Sequence, residues 1–107
     1  MASILGFRRC AAAVAVTLLP QPSFAADAGN GARLAAQWCE ACHVIRTGQH
    51  RASIDAAPPF PAIAAHPGFD AGKVALFLLD PHPKMPDMSL TRAEAADLAA
   101  YIGSLAQ

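Results

Sequence analysis

The 107-residue sequence has little charge, few cysteines and no long hydrophobic run. Charged side chains make up 15% of the residues, eight basic and eight acidic, so the chain is formally neutral and lacks a polybasic surface for nucleic acid. Its longest apolar segment, residues 10–19, is about half of the roughly 20 residues that a membrane-spanning helix needs. These absences argue against nucleic-acid binding and against stable membrane insertion.

The first 25 residues have the order of a secretory signal peptide. A basic region ending in Arg9 precedes the apolar segment, and a small-x-small cleavage site ends at Ala25. The sequence therefore predicts a cleavable signal peptide over residues 1–25 and an exported, periplasmic domain over residues 26–107. That domain keeps six of the eight basic side chains and all eight acidic ones, a net charge of −2.

Three segments of the exported domain have helical signatures. Asp27 is a suitable N-cap for an alanine-rich helix predicted over residues 28–38. A second helix is predicted over residues 71–79, and because its apolar side chains cover every side, we expect it to be buried. Thr91 and Glu94 form a T-x-x-E capping box at the start of a third, C-terminal helix.

The segments between these helices, residues 43–68 and 80–90, hold all seven prolines of the exported domain. Proline lacks the N–H donor that a helix interior requires, so both segments are predicted to be loops. No run alternates between polar residues and β-branched or aromatic ones, as an exposed strand would. The predicted fold class is therefore all-α.

Two cysteines remain after export, in the sequence Cys39-Glu40-Ala41-Cys42-His43. The C-x-x-C-H pattern is that of covalent haem attachment: each thiol adds to one vinyl group, and the imidazole of His43 then lies against the iron. Two other chemistries compete. A thiol–disulfide oxidoreductase needs its cysteines at a helix N-terminus, whereas these follow a predicted helix. A zinc site needs four ligands, and only scattered histidines are available.

Haem iron has a sixth position, for which two methionines compete. Met85 and Met88 lie in the proline-rich loop before the last helix, and prolines on both sides of Met85 fix its backbone, which favours Met85. His82 is the one histidine near enough in sequence to be an alternative, while His50 and His66 are expected to be solvated. An open sixth position would instead predict a binder or sensor of small ligands.

With these motifs the chain resembles the small bacterial class I c-type cytochromes over about residues 28–106. The family pattern is a glycine eight residues before the first cysteine, C-x-x-C-H, a proline followed two residues later by an apolar residue, a Met-Pro loop and an aromatic residue in the last helix. The matching residues are Gly31, Cys39 to His43, Pro58 with Phe60, Met85 with Pro86, and Tyr101.

The resemblance implies three to four helices around one haem c, attached covalently through Cys39 and Cys42, with its iron between His43 and Met85. Proteins of this kind are electron carriers rather than enzymes. They act as soluble shuttles or as haem subunits of periplasmic dehydrogenases. The implied partners are redox proteins, either such a dehydrogenase or a terminal oxidase or reductase.

The resemblance also assigns supporting roles. The carbonyl of Pro58, with Pro59 as a rival, is expected to accept the second imidazole N–H of the iron-binding histidine. Gly31 is expected to let the first helix approach Tyr101, whereas Ala35, where the family often has a larger side chain, predicts a thinner contact between these helices. The expected walls of the haem site are Phe60, Phe69, Phe77, Leu98 and Ile102.

Overall fold

The computed structural model describes residues 10–20, 25–49, 52, 57–80 and 84–106. Within these ranges it has four helices and no strand, which confirms the all-α prediction. The helices are α1 (Ala28–Trp38), α2 (Phe60–Ala65), α3 (Ala71–Leu79) and α4 (Arg92–Ser104).

The apolar run of the predicted signal peptide has no regular secondary structure over residues 10–20. Its large side chains are exposed, with Val14 at 84% and Leu18 at 93%. Residues 1–9 and 21–24, which include Arg9 and most of the predicted cleavage site, lie outside the described residues. Among the helices that the structure describes, none is both long and apolar enough to cross a membrane.

Side-chain caps begin three of the helices. The Asp27 carboxylate accepts a hydrogen bond from the Asn30 backbone N–H at 3.0 Å, and α1 has the predicted bounds. The bounds of α3 also match the prediction, with Asp70 as its N-cap. The predicted capping box is present at α4, where the Thr91 hydroxyl and the Glu94 carboxylate each accept a backbone N–H of the other residue.

Helix α2 corrects the prediction that residues 43–68 form a loop. It is six residues long, follows Pro59 and contains Pro61 in its first turn, with no side-chain cap. Prolines are tolerated there because the first N–H groups of a helix have no acceptor within the helix. A short helix that begins in a proline-rich segment is therefore difficult to distinguish from a loop by sequence.

The most extensive helix contact in the described part of the chain joins α1 and α4. A Cβ added to Gly31 would lie 2.0 Å from the carbonyl oxygen of Asp97 and 2.7 Å from Cβ of Tyr101, so glycine is what permits this approach. Ala35 is fully buried in the core, and the expectation that it makes a thinner contact than a larger side chain would stays a prediction. The core formed here consists of Leu34, Ala35, Cys39, Ile45, Phe60, Ala64, Leu98 and Ile102.

Helix α3 is less buried than predicted. None of its residues is buried, and Leu76 and Phe77 are 67% and 53% exposed. Among the described helices α3 packs against α4 alone, and a single partner covers only one side of a helix. Val74 and Phe77 of α3 border the cavity described below.

Candidate functional site

The two cysteines and His43 lie on one turn directly after α1. Cys39 is the C-cap of that helix, and its carbonyl accepts hydrogen bonds from the backbone N–H groups of Cys42 at 3.1 Å and His43 at 2.9 Å. Cys39 is buried in the core, whereas Cys42 is half-buried. The helix end therefore fixes the spacing of all three side chains.

The position of Cys39 does not fit thiol–disulfide catalysis. Burial, and secondarily the nearby Cys42, raise the pKa of the Cys39 thiol to about 11. Catalytic C-x-x-C pairs use a thiol whose pKa is lowered, typically at a helix N-terminus. Here the thiol lies at the C-terminal end of α1 and stays protonated at neutral pH.

His43 is the buried polar side chain at the centre of the site, with 7% of its surface exposed. Its Nδ1 lies 2.7 Å from the carbonyl oxygen of Pro58, and because a carbonyl only accepts, Nδ1 is the donor. Of the two candidate prolines, Pro58 thus makes the expected contact. The ring also packs on Phe60, with centroids 5.0 Å apart and planes inclined by 48°. In the neutral ring Nε2 then keeps its lone pair.

The backbone after His43 is held from two directions. The Val44 carbonyl accepts a hydrogen bond from the Phe60 backbone N–H at 2.8 Å, which ties it to the start of α2. The Ile45 carbonyl accepts one from the Tyr101 hydroxyl at 2.6 Å, which ties it to α4. These bonds restrict movement of the histidine relative to α2 and α4.

His43 lines a cavity of about 600 Å³, within the range of about 300–1,000 Å³ typical of small-molecule and cofactor sites. Met85 lines the same cavity, which is walled mainly by apolar side chains. Four of the five predicted wall residues are present, and Leu98 is the exception because it is fully buried in the core. The lining residues are His43, Pro58, Phe60, Ala62, Ile63, His66, Gly68, Phe69, Asp70, Lys73, Val74, Phe77, Leu78, Met85 and Ile102.

The two methionines are placed differently. Met85 borders the cavity and Met88 does not, although both side chains are half-buried. After Met88 the chain turns through Ser89, whose φ of 51° is in the left-handed region and whose N–H donates to the Asp87 carboxylate at 2.8 Å. His82, the histidine alternative, lies outside the described residues, as does His50.

Sequence reasoning missed part of the lining. His66 was expected to be solvated, and although it is exposed, it borders the cavity together with Asp70 and Lys73. These residues lie more than twenty positions after His43, and no local motif connects them to it. Within the described ranges no group of three or more His, Cys, Asp or Glu side chains is arranged to hold a metal ion, so a zinc site has no support.

The residues around the cavity fit a haem. An imidazole and a thioether are both established axial ligands of haem iron, and His43 and Met85 supply one of each. The aromatic and aliphatic walls suit an apolar macrocycle. The two thiols that could anchor it lie on the turn that carries His43.

One relative is similar over nearly the whole chain. Over 92 residues the chain is 54% identical to a curated protein named Cytochrome c-552 from Bradyrhizobium diazoefficiens, and the match covers 86% of this chain and 88% of the relative. No protein-family model matches the chain. No solved structure gives a significant match.

Proposed function

Because the chain belongs to the class I c-type cytochromes, we propose that it carries electrons with His43 and Met85 as the axial ligands of its haem iron. A c-type cytochrome is an electron carrier and holds haem c covalently. Iron in that group takes up and releases one electron at a time. The observation that carries the ligand proposal is that His43 and Met85 line one apolar cavity beside the C-x-x-C-H turn.

The two cysteines and the residues that contact His43 have distinct proposed roles. Cys39 and Cys42 supply the two thioether links, so the haem stays attached whatever the state of the iron. The Pro58 carbonyl, 2.7 Å from Nδ1 of His43, orients the imidazole and increases its basicity as a ligand. Phe60 packs on the same ring and limits its rotation. A ligand held in this way changes little in geometry when the iron changes charge, which favours fast electron transfer.

An absorption spectrum of the holoprotein tests the ligand set. Protein exported from cells with haem-attachment machinery should show a sharp reduced α-band and, in the oxidised form, a near-infrared band of methionine-to-iron coordination. Met85→Ala should abolish the near-infrared band and let the reduced iron bind carbon monoxide. Met88→Ala is the matched control and should leave both properties unchanged.

Each alternative has its own outcome in this experiment. Loss of the band in Met88→Ala, with Met85→Ala unaffected, would move the ligand to Met88. A high-spin spectrum in the unmodified protein would favour a small-ligand binder or sensor instead. An intact mass without haem would contradict the electron-carrier proposal and reopen thiol chemistry at Cys39 and Cys42.

We further assign residues 1–25 to a cleavable signal peptide and residues 26–107 to a periplasmic domain. The exposed, irregular apolar segment at residues 10–20 supports this division. The purified periplasmic protein should begin at Ala26, which N-terminal sequencing would establish. An intact N-terminus in a cytoplasmic fraction would contradict the assignment.

The proposed partners are periplasmic redox proteins, either a dehydrogenase or a terminal oxidase or reductase. A shuttle binds its redox partners transiently, whereas a dehydrogenase subunit stays bound to the dehydrogenase. Size-exclusion chromatography of a periplasmic extract, followed at the haem absorbance, separates these two roles. Elution at the size of the monomer indicates a shuttle, whereas co-elution with dehydrogenase activity indicates a subunit.

A further inference from the structure

Apart from His43, the polar side chains among the described lining residues come from one stretch of the sequence. His66, Asp70 and Lys73 contribute this polarity, and they lie close together in the sequence between the end of α2 and the first turn of α3. We call these three residues the polar rim. All three are exposed, so the polar rim faces solvent as well as the cavity.

Two members of the polar rim have donors to offer. Nδ1 of His66 accepts a hydrogen bond from the Gly68 backbone N–H at 3.1 Å, so in the neutral ring the proton is on Nε2, and no described residue accepts it. The Lys73 ammonium group makes no ion pair with a described carboxylate. Asp70 differs, because its Oδ1 accepts the Lys73 backbone N–H at 3.0 Å as the cap of α3.

None of the other positive side chains that the structure describes in the domain borders the cavity. Arg46 pairs with Glu40 at 3.2 Å and does not border the cavity. Lys84 is next to Met85 in sequence, yet it is not part of the lining either. Arg51 lies outside the described residues. Lys73 is therefore the cation that the described structure brings to the cavity.

We propose that His66 and Lys73 bind the propionate carboxylates of the haem, which orients the propionate edge toward the turn between α2 and α3. This inference rests on the proposed haem site. Apart from its iron, haem is an apolar macrocycle with two anionic propionates, and the described cavity lining is mainly apolar, with donor side chains at His66 and Lys73. Charge-assisted hydrogen bonds from Nε2–H and Nζ to a carboxylate are stronger than bonds between neutral groups.

The pairing has a consequence for the reduction potential. An uncompensated carboxylate near the iron stabilises the ferric state, because that state carries one more positive charge. A cation bound to the carboxylate weakens this effect and raises the potential. Lys73 thus tunes the iron without touching it, and both His66 and Lys73 act as positioning residues for the propionates.

The test compares the reduction potentials and infrared difference spectra of single-residue variants of the holoprotein. Lys73→Gln should lower the reduction potential, and the redox-induced infrared difference spectrum should show a shifted propionate carboxylate band. Arg92→Gln removes the same charge from an exposed position at the start of α4 and should change neither. Lys73→Arg keeps the positive charge and should have the reduction potential and the carboxylate band of the unmodified protein. His66→Ala should shift the carboxylate band and leave the axial-ligand bands unchanged.

The outcomes separate this inference from the proposed function. If no holoprotein forms, or if its spectrum lacks methionine ligation, the proposed haem site itself fails. If the spectrum is that of a His/Met haem and Lys73→Gln matches Arg92→Gln in potential and in the carboxylate band, the haem site stands and the polar rim does not bind the propionates.

Discussion

Tyr101 connects the last helix to the backbone after His43 through one hydrogen bond, from its hydroxyl to the Ile45 carbonyl at 2.6 Å. Ile45 is nearly fully buried, so water does not easily replace the lost donor in Tyr101→Phe. We expect the substitution to reduce the free energy of unfolding at pH 7 by about 1 kcal/mol. Urea unfolding of the holoprotein, with Leu105→Met as a control at the end of the same helix, measures this difference.

The stabilisation by Tyr101 should also depend on pH. Burial raises the pKa of Tyr101, an effect that Arg46 partly opposes, so the folded state favours the neutral phenol. The contribution is therefore fully present below the pKa of an unfolded tyrosine, about 10, and is lost as pH rises through the higher folded pKa. The difference in the free energy of unfolding between the wild type and Tyr101→Phe should therefore decrease as the pH rises above about 10. An increase in that difference over the same pH values would contradict the argument from burial.

Gly31 permits the close contact between α1 and α4 because it has no Cβ. A methyl group there would lie 2.0 Å from the Asp97 carbonyl oxygen, which belongs to the backbone and cannot rotate away. Gly31→Ala should destabilise the protein by about 1–3 kcal/mol, the usual cost of overpacking. Gly29→Ala is the control, because its Cβ would meet only the Asp27 side chain at 3.2 Å. Thermal unfolding should show a loss for Gly31→Ala and a change under about 1 kcal/mol for Gly29→Ala.

At the scale of elements, helix α4 is the common partner of the other three helices, and its start depends on the capping box. Thr91→Ala removes the hydroxyl that accepts the Glu94 N–H at 3.1 Å and should cost about 0.5–2 kcal/mol. Thr91→Ser keeps the acceptor and should cost much less. Equal losses for the two variants, measured by chemical denaturation, would show that the methyl group rather than the cap matters.

The helices that sequence predicted correctly have caps that can be recognised locally. Asp27 and Thr91 mark the starts of α1 and α4 within a few residues, whereas α2 starts at Pro59 without a side-chain cap. The exposure of α3 was not predictable, because hydrophobicity on every side does not say how many partners cover the helix. That property depends on the whole fold.

The residues of the candidate site also differ in whether the sequence could predict them. The C-x-x-C-H turn is contiguous, and the resemblance to a family located Pro58, so the amino-acid sequence was sufficient to predict both. His66 and Lys73 border the cavity only because the fold brings the segment from the end of α2 to the first turn of α3 beside the same cavity as His43, and no spacing rule describes that proximity. Met85 lies between these two cases. The neighbouring prolines favoured it over Met88 in the sequence, and the cavity lining, which includes Met85 and not Met88, gives the same preference.

At the scale of the whole molecule, we infer that the haem forms part of the core. The buried side chains lie mainly on α1, α2 and α4, none lies on α3, and an apolar cavity of about 600 Å³ separates α3 from His43 and Pro58. The exported domain, residues 26–107, is only slightly larger than the limit of about 70–80 residues below which a hydrophobic core rarely supplies more than about 3–5 kcal/mol. A ligand bound only by the folded state adds directly to that small margin.

Removing the covalent attachment should therefore unfold the domain. Cys39→Ala/Cys42→Ala, produced without attached haem, should lose cooperative thermal unfolding and much of its helical circular dichroism, because α3 then has only α4 to pack against. Met85→Ala, which keeps both thioether links, is the matched control and should still unfold cooperatively at a lower temperature. If the double variant unfolds cooperatively near the unfolding temperature of the holoprotein, the four helices are sufficient for a stable fold. The haem then does not contribute to the core in this way.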